Sequence, residues 1–147
     1  MRTVWGAGAV AVCAGLGAWV LLQPAAPEGI PYQDAASVSR GQVIYAENCA
    51  SCHGDKLQGA ENWRQPDTDG RMPAPPHDET GHTWHHPDEQ LFRLTKLGPA
   101  AIVGGGYESN MPGYAEVLSD QEIWDVLAYI KSSWPKRIVE IHNQRNG

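Results

Sequence analysis

Three stretches of the chain place apolar residues at helical spacing, and no run alternates apolar and polar long enough to be a strand. Segment 37–48 offers Val38, Val43, Ile44 and Tyr45 for an apolar stripe, which predicts a first helix. Segment 87–97, PDEQLFRLTKL, predicts a second, with Leu91, Phe92 and Leu94 on its buried side. Pro87 suits the first helical position, Asp88 and Glu89 the positive end, and Lys96 the negative end. Gly98-Pro99 stops that helix, and a glycine-rich loop, GGGYESNMPGY, follows. Segment 119–134, SDQEIWDVLAYIKSSW, opens on Ser119 and Glu122 as a capping box. Ile123, Leu127 and Ile130 mark its buried face, with Trp124 and Val126 beside them. Pro135 then kinks or restarts the helix, and the remainder trails off polar, which leaves His142 exposed. The pattern is that of an all-α domain with long loops.

The N-terminus is patterned differently. Residues 4–22 carry no charge and no strong polar group. As a helix rising about 1.5 Å per residue they nearly cross a hydrocarbon core of about 30 Å. A cleaved signal peptide is the competing reading, but the exit LLQPAAPEG is a poor cleavage site, because Pro24 falls where a small residue belongs. The balance favours an uncleaved anchor over 1–23. Arg2 on the near side sends everything after it across the membrane. Cys13 lies inside this stretch and reads as a small apolar residue facing lipid. Residues 24–34 form a Pro-rich linker, and 35–147 form the helical domain.

Composition adds little beyond excluding disorder and nucleic acid. Hydrophobic residues make up 41% and charged residues 19%, as in an ordinary globular chain. The formal charge of −6 argues against a nucleic-acid partner. The 16 glycines and 11 prolines put much of the chain into loops. The longest loop runs from Asp55 to His86 with no clear period, a length that needs something to organise it, such as a large prosthetic group.

CASCHG, residues 49–54, supplies the candidate. C-x-x-C-H is the haem c attachment signature. One turn of chain separates the two thiols as the two vinyl groups on one porphyrin edge require, and His53 then reaches the iron from below. Three other readings use fewer of the observations. A thioredoxin-type pair needs a strand before the motif, where a helix is predicted. A zinc site of Cys49, Cys52 and loop histidines lacks a second C-x-x-C. A structural disulfide across so short a loop gains little from closure.

With these residues in place the chain, over about 35–135, resembles the class I c-type cytochromes of bacteria. Gly41 and Tyr45 stand eight and four residues before Cys49, where that family has glycine and an aromatic, and VLAYIK with Tyr129 matches its C-terminal helix. Gly41 lets two helices approach closely, and Tyr45 and Tyr129 pack at the crossing. The middle loop, RMPAPPHDETGHTWHHPDEQLF, departs from the mitochondrial type and looks like a proteobacterial subgroup. The resemblance implies a cytochrome c fold of about three to four helices around one covalent haem, with the N-terminal hydrophobic helix added. An electron carrier also needs a second axial ligand, for which Met72 and Met111 are the candidates. The resemblance favours Met111, followed by Pro112 just before the last helix, and leaves Met72 and Tyr45 to pack against the haem. It also implies that Pro73, or a proline near it, turns a carbonyl to the Nδ1–H of His53. Trp84 is implied as a propionate donor, and Arg71 or Arg64 can pair with the same propionates.

His77, His82, His85 and His86 fall within ten residues. Such density can bind copper or zinc, and the blander reading is that these histidines line the haem edge and cap the second helix. No nucleophile or acid–base constellation marks an enzyme. The leading reading is therefore a one-electron carrier on the periplasmic side of the inner membrane, tethered by residues 4–22, or soluble in the periplasm if the leader is cut. Its partners are redox proteins such as a membrane oxidase or a cytochrome complex. A copper-handling haem protein using the histidine cluster, and a haem enzyme or gas sensor with a labile sixth ligand, are the competing readings.

Overall fold

A computed structural model describes residues 28–146. The stretch 4–22, Cys13 and the anchor reading lie outside the described residues, and among those described no helix is long and apolar enough to cross a membrane. Among the described residues, six α-helices and one 3₁₀ turn make up the regular structure: α1 (Ala35–Asn48), α2 (Ala50–His53), the 3₁₀ turn (Thr83–His85), α3 (Asp88–Leu97), α4 (Pro99–Val103), α5 (Asp120–Ser132) and α6 (Lys136–Asn143). No strand occurs among the described residues.

The frame is the crossing of α1 and α5. Asp34 caps α1, its carboxylate accepting from the amides of Ala36 (3.1 Å) and Ser37 (3.3 Å). The buried side of α1 is Ser37, Gly41, Ile44 and Tyr45, spaced i, i+4, i+7, i+8. Val43, expected in that stripe, is 57% exposed, because two residues of helix turn it about 200° from Gly41. At Gly41 a Cβ would run into the Asp125 carbonyl, so the backbones meet at a distance only glycine permits. The rings of Tyr45 and Tyr129 pack at 5.4 Å beside that contact. Arg40 grips Asp125 with two donors, Nε at 2.6 Å and Nη2 at 3.1 Å.

Helix α5 starts where expected. The Ser119 Oγ accepts from the Glu122 amide at 3.3 Å, and the Glu122 carboxylate accepts from the Ser119 amide at 2.8 Å. Buried residues from Ile123 to Lys131 cover most of its circumference, so α5 is the central helix of the domain. Helix α3 packs on it, with Phe92 stacked on Trp124 at 4.6 Å. Pro87 is the N-cap of α3, not its first helical residue, since its ψ of 157° is extended. Gly98 does end α3, but Pro99 then opens α4, a short helix within the expected glycine-rich loop.

The tail also differs from expectation. It folds as α6 and buries Ile138, Val139 and His142. His142, expected to be exposed, is fully buried with its ring edge-on to Trp134 at 5.0 Å. Its Nε2 donates to the His86 carbonyl at 3.0 Å and lies 3.4 Å from the Asp88 carboxylate. Lys131, also buried, faces the same carboxylate at 3.6 Å. Asp88 Oδ2 accepts from the Ile30 amide at 3.0 Å. Residues 28–34, the end of the stretch read as linker, are thus docked on α3 and α5 at least as far as Ile30, which is buried.

Candidate haem site

Helix α2 carries the CASCHG motif as one helical turn. The amides of Cys52 (3.1 Å) and His53 (2.9 Å) bond the Cys49 carbonyl, so the thiols stand one turn apart. Gly54 ends the turn at φ 80°, and its carbonyl accepts from Tyr45 Oη at 3.0 Å, which ties the motif to the helix crossing. Both thiols are free, Cys49 half-buried and Cys52 exposed. Burial, then the neighbouring Cys52, pushes the Cys49 thiol up to about 11, so it is protonated at neutral pH.

His53 is buried and its Nδ1 lies 2.8 Å from the Pro75 carbonyl. A carbonyl can only accept, so Nδ1 carries the proton and Nε2 is left with its lone pair for a metal. The proline is Pro75, two residues beyond Pro73. Burial lowers the His53 pKa against the raising effect of the Pro75 bond, which keeps the imidazole neutral. The loop carrying Pro75 folds back on the motif through short backbone bonds: Gly59 to His53 at 2.8 Å, Ala60 to Ala74 at 2.9 Å and His77 to Leu57 at 2.7 Å.

Met111 is half-buried, and its amide donates to Ser109 Oγ at 3.1 Å. Three residues on, Tyr114 Oη donates to the Asn48 carbonyl at 2.8 Å, immediately before Cys49. The Met111 loop is therefore fastened beside the motif, a link with no signal in the sequence beyond an aromatic in NMPGY. Arg71 bonds Glu108 (3.0 Å) and Asn110 (2.9 Å), joining the Met72 loop to the Met111 loop. Met72 is 41% exposed.

The other expected propionate donors are engaged within the protein. Trp84 Nε1 donates to the Glu79 carbonyl at 3.3 Å, and its ring stacks on His85 at 3.7 Å. Arg64 donates to the Thr80 carbonyl at 3.3 Å and lies over the Trp63 ring at 4.1 Å. The four loop histidines do not converge on one point, although His86 meets His82 edge-on at 5.5 Å. His82 stacks on Trp63 at 5.4 Å, His85 on Trp84, and His77 on His53 at 4.0 Å. Among the described residues no three His, Cys, Asp or Glu side chains come together as a metal site, so the copper or zinc reading finds no support.

A family model described as cytochrome c matches residues 38–134. The chain belongs to the cytochrome c family. Two relatives are the CcoP subunits of cbb3-type cytochrome c oxidases, from Azospirillum sp. (strain B510) at 31% identity and Azospirillum brasilense at 30%, each over 97 residues. Those matches cover 66% of this chain but only 29% and 28% of the two relatives, so the chain accounts for under a third of their length. No solved structure matches the chain significantly. The all-helical fold and the crossing at Gly41 agree with a class I c-type cytochrome.

The covalent haem c of this family fits the residues present: two free thiols one turn apart, beside an imidazole whose only free nitrogen is the one a metal takes.

Proposed function

We propose that this cytochrome c carries single electrons to or within a membrane-bound respiratory oxidase. Cys49 and Cys52 would form the thioethers, and His53, through Nε2, and Met111 would hold the iron. The observation that carries this reading is the 2.8 Å contact between His53 Nδ1 and the Pro75 carbonyl, because it supports the tautomer that offers Nε2 to iron. When bound, the haem supplies the one-electron couple. The chain's part is to hold both ligands through the redox cycle, exclude water and limit rearrangement. The Pro75 carbonyl also makes His53 a stronger donor.

Trp84 is the first candidate for a propionate. Its present bond to Glu79 is long and neutral, so a charged acceptor outcompetes it. Arg71 and Arg64 are exposed enough to turn to the same group. Tyr45 and Met72 pack around the ring. Similarity to oxidase subunits supports an oxidase as partner, and residues 4–22 as an anchor would place the domain at the periplasmic face of the membrane, where tethering raises its effective concentration near that partner.

A carbon monoxide difference spectrum of the reduced, haem-loaded protein tests the ligand set. No change at neutral pH, with prompt binding in Met111→Ala, is expected. Prompt binding in the wild-type protein would instead mean an open sixth position and a sensor or enzyme.

A further inference from the structure

His77 stands out once the electron-carrier reading is in place, because nothing in that reading uses it. Its ring lies over the ring of His53 with centroids 4.0 Å apart and planes 23° from parallel. A stack this close could be incidental if His77 were free to turn, but its amide, its carbonyl and its Nδ1 are each engaged. Its amide donates to the Leu57 carbonyl at 2.7 Å. Its own carbonyl accepts from Trp134 Nε1 at 2.7 Å, and Trp134 is buried. Its Nδ1 lies 2.9 Å from Thr83 Oγ1, and Thr83 is buried too. The edge of Tyr45 closes the remaining side, with centroids 6.2 Å apart. His77 is therefore a fixed plate, held from the Leu57 turn, the 3₁₀ turn and the junction between α5 and α6.

His53 needs such a plate. The bond from Nδ1 to Pro75 acts at one edge of the imidazole, and a single hydrogen bond tolerates rotation of the ring about its Cβ–Cγ bond with little loss. A flat partner against the ring face opposes that rotation. The two contacts act at right angles to each other and together define the plane of the ring.

We propose that His77 is a positioning residue that sets the plane of the His53 imidazole, and through it the electronic asymmetry of the bound haem. The proposal rests on His53 being the proximal ligand. The ligand plane orients the iron d-orbital that shares the unpaired electron of the ferric state with the porphyrin. It therefore fixes which pyrrole rings carry spin density.

Haem-loaded full-length protein, His77→Phe and His77→Ala are compared in the ferric state by proton NMR of the four haem methyls and by electron paramagnetic resonance. Phe keeps a flat face and should retain the wild-type order of methyl shifts and largest g value. Ala removes the face and should reorder the methyl shifts and move that g value. Unchanged spectra in Ala, with haem attached, overturn the proposal, as does a Phe variant that shifts as far as Ala. If Ala does not take up haem, His77→Leu replaces it, since it keeps apolar bulk but removes the flat face. His77→Leu should shift the methyls in the same direction, and unchanged spectra there equally overturn the proposal. Failure of the wild-type chain to attach haem, read from its mass, would instead sink the underlying reading.

Discussion

The two loops that reach the CASCHG turn are held in different ways. The 57–77 loop lies on the His53 side and is knitted to its surroundings by the bonds of Gly59, Ala60 and His77, with Trp134 bracing it from behind. The 98–114 loop carries Met111 and passes through three consecutive exposed glycines at φ 66°, 59° and 82°. It is fastened at its end, by Tyr114 to Asn48, and from the side by the exposed Arg71. One ligand is thus preset by the protein, while the other sits on a segment that can adapt. A thioether suits the second position, because methionine is unbranched and tolerates an imprecise backbone.

Two glycines separate the loops by the largest expected margin. Gly59 (φ 72°) and Gly105 (φ 59°) both sit in left-handed backbone, but a Cβ on Gly59 would lie 2.7 Å from the Pro75 carbonyl carbon, whereas one on Gly105 would meet nothing within 4 Å. Gly105→Ala should lose about 1 kcal/mol from backbone strain alone. Gly59→Ala adds a collision with the carbonyl group that binds His53, for about 3 kcal/mol in total. Urea unfolding of the haem-loaded variants measures both. Equal losses would mean that the 57–77 loop is as yielding as the other.

Bracing from behind is tested by Trp134→Phe, which keeps the ring and leaves the His77 carbonyl without its 2.7 Å donor. A buried acceptor left unpaired should lower stability by about 1–3 kcal/mol in the same urea experiment. A neutral result would show that His77 is held by the Leu57 and Thr83 contacts alone.

Farther back, His142 gives the braced side a pH dependence. Burial, then the Lys131 ammonium, lowers its pKa below the usual histidine value, against the opposing pull of Asp88 and the His86 carbonyl. Nε2 must carry the proton to donate to His86, and Nδ1 meets no partner among the described residues. As pH falls through about 6.5 the unfolded chain gains a proton that the folded one refuses, so stability drops from there down to the lowered folded value. His142→Gln can keep a donor toward His86 and should flatten the urea midpoint between pH 7 and 5. An unchanged slope would assign the dependence to the other buried histidines.

The helix crossing was legible because its evidence is local. Gly41 and Tyr45 stand one helical turn apart, the family resemblance supplies Tyr129 opposite them, and Ser119 with Glu122 announces the start of α5 within four residues. CASCHG is likewise contiguous. What the sequence hid depends on distant pairing. The proline facing His53 is Pro75, a choice made by where the loop turns back at Leu57 and Gly59. His77 looked like one of four equivalent histidines, and only the fold separates the ring stacked on His53 from the three turned elsewhere. Asp88 read as a charge suited to a helix N-terminus, while its burial opposite Lys131 and His142 joins segments 43 and 54 residues away. The tail does carry a signal: Ile138, Val139 and His142 recur at helical spacing among charges, which marks the buried side of α6.

The smallest effect is expected at Arg71, on the adaptable side. Its pair with Glu108 is largely exposed, so Arg71→Ala should change global stability by under about 1 kcal/mol. Ligand retention is a separate quantity. Arg71 bonds both Glu108 and Asn110, the latter next to Met111, so without it the segment loses its side anchor and keeps those at its end, at Tyr114 and Ala115. Reduced Arg71→Ala should therefore bind carbon monoxide slowly and in part, between the inert wild-type protein and the open Met111→Ala. Binding no faster than in the wild type would mean that the bonds of Tyr114 and Ala115 hold the loop without Arg71. Binding as prompt as in Met111→Ala would mean that this exposed pair, weak as a contribution to folding, is what keeps the sixth ligand in place.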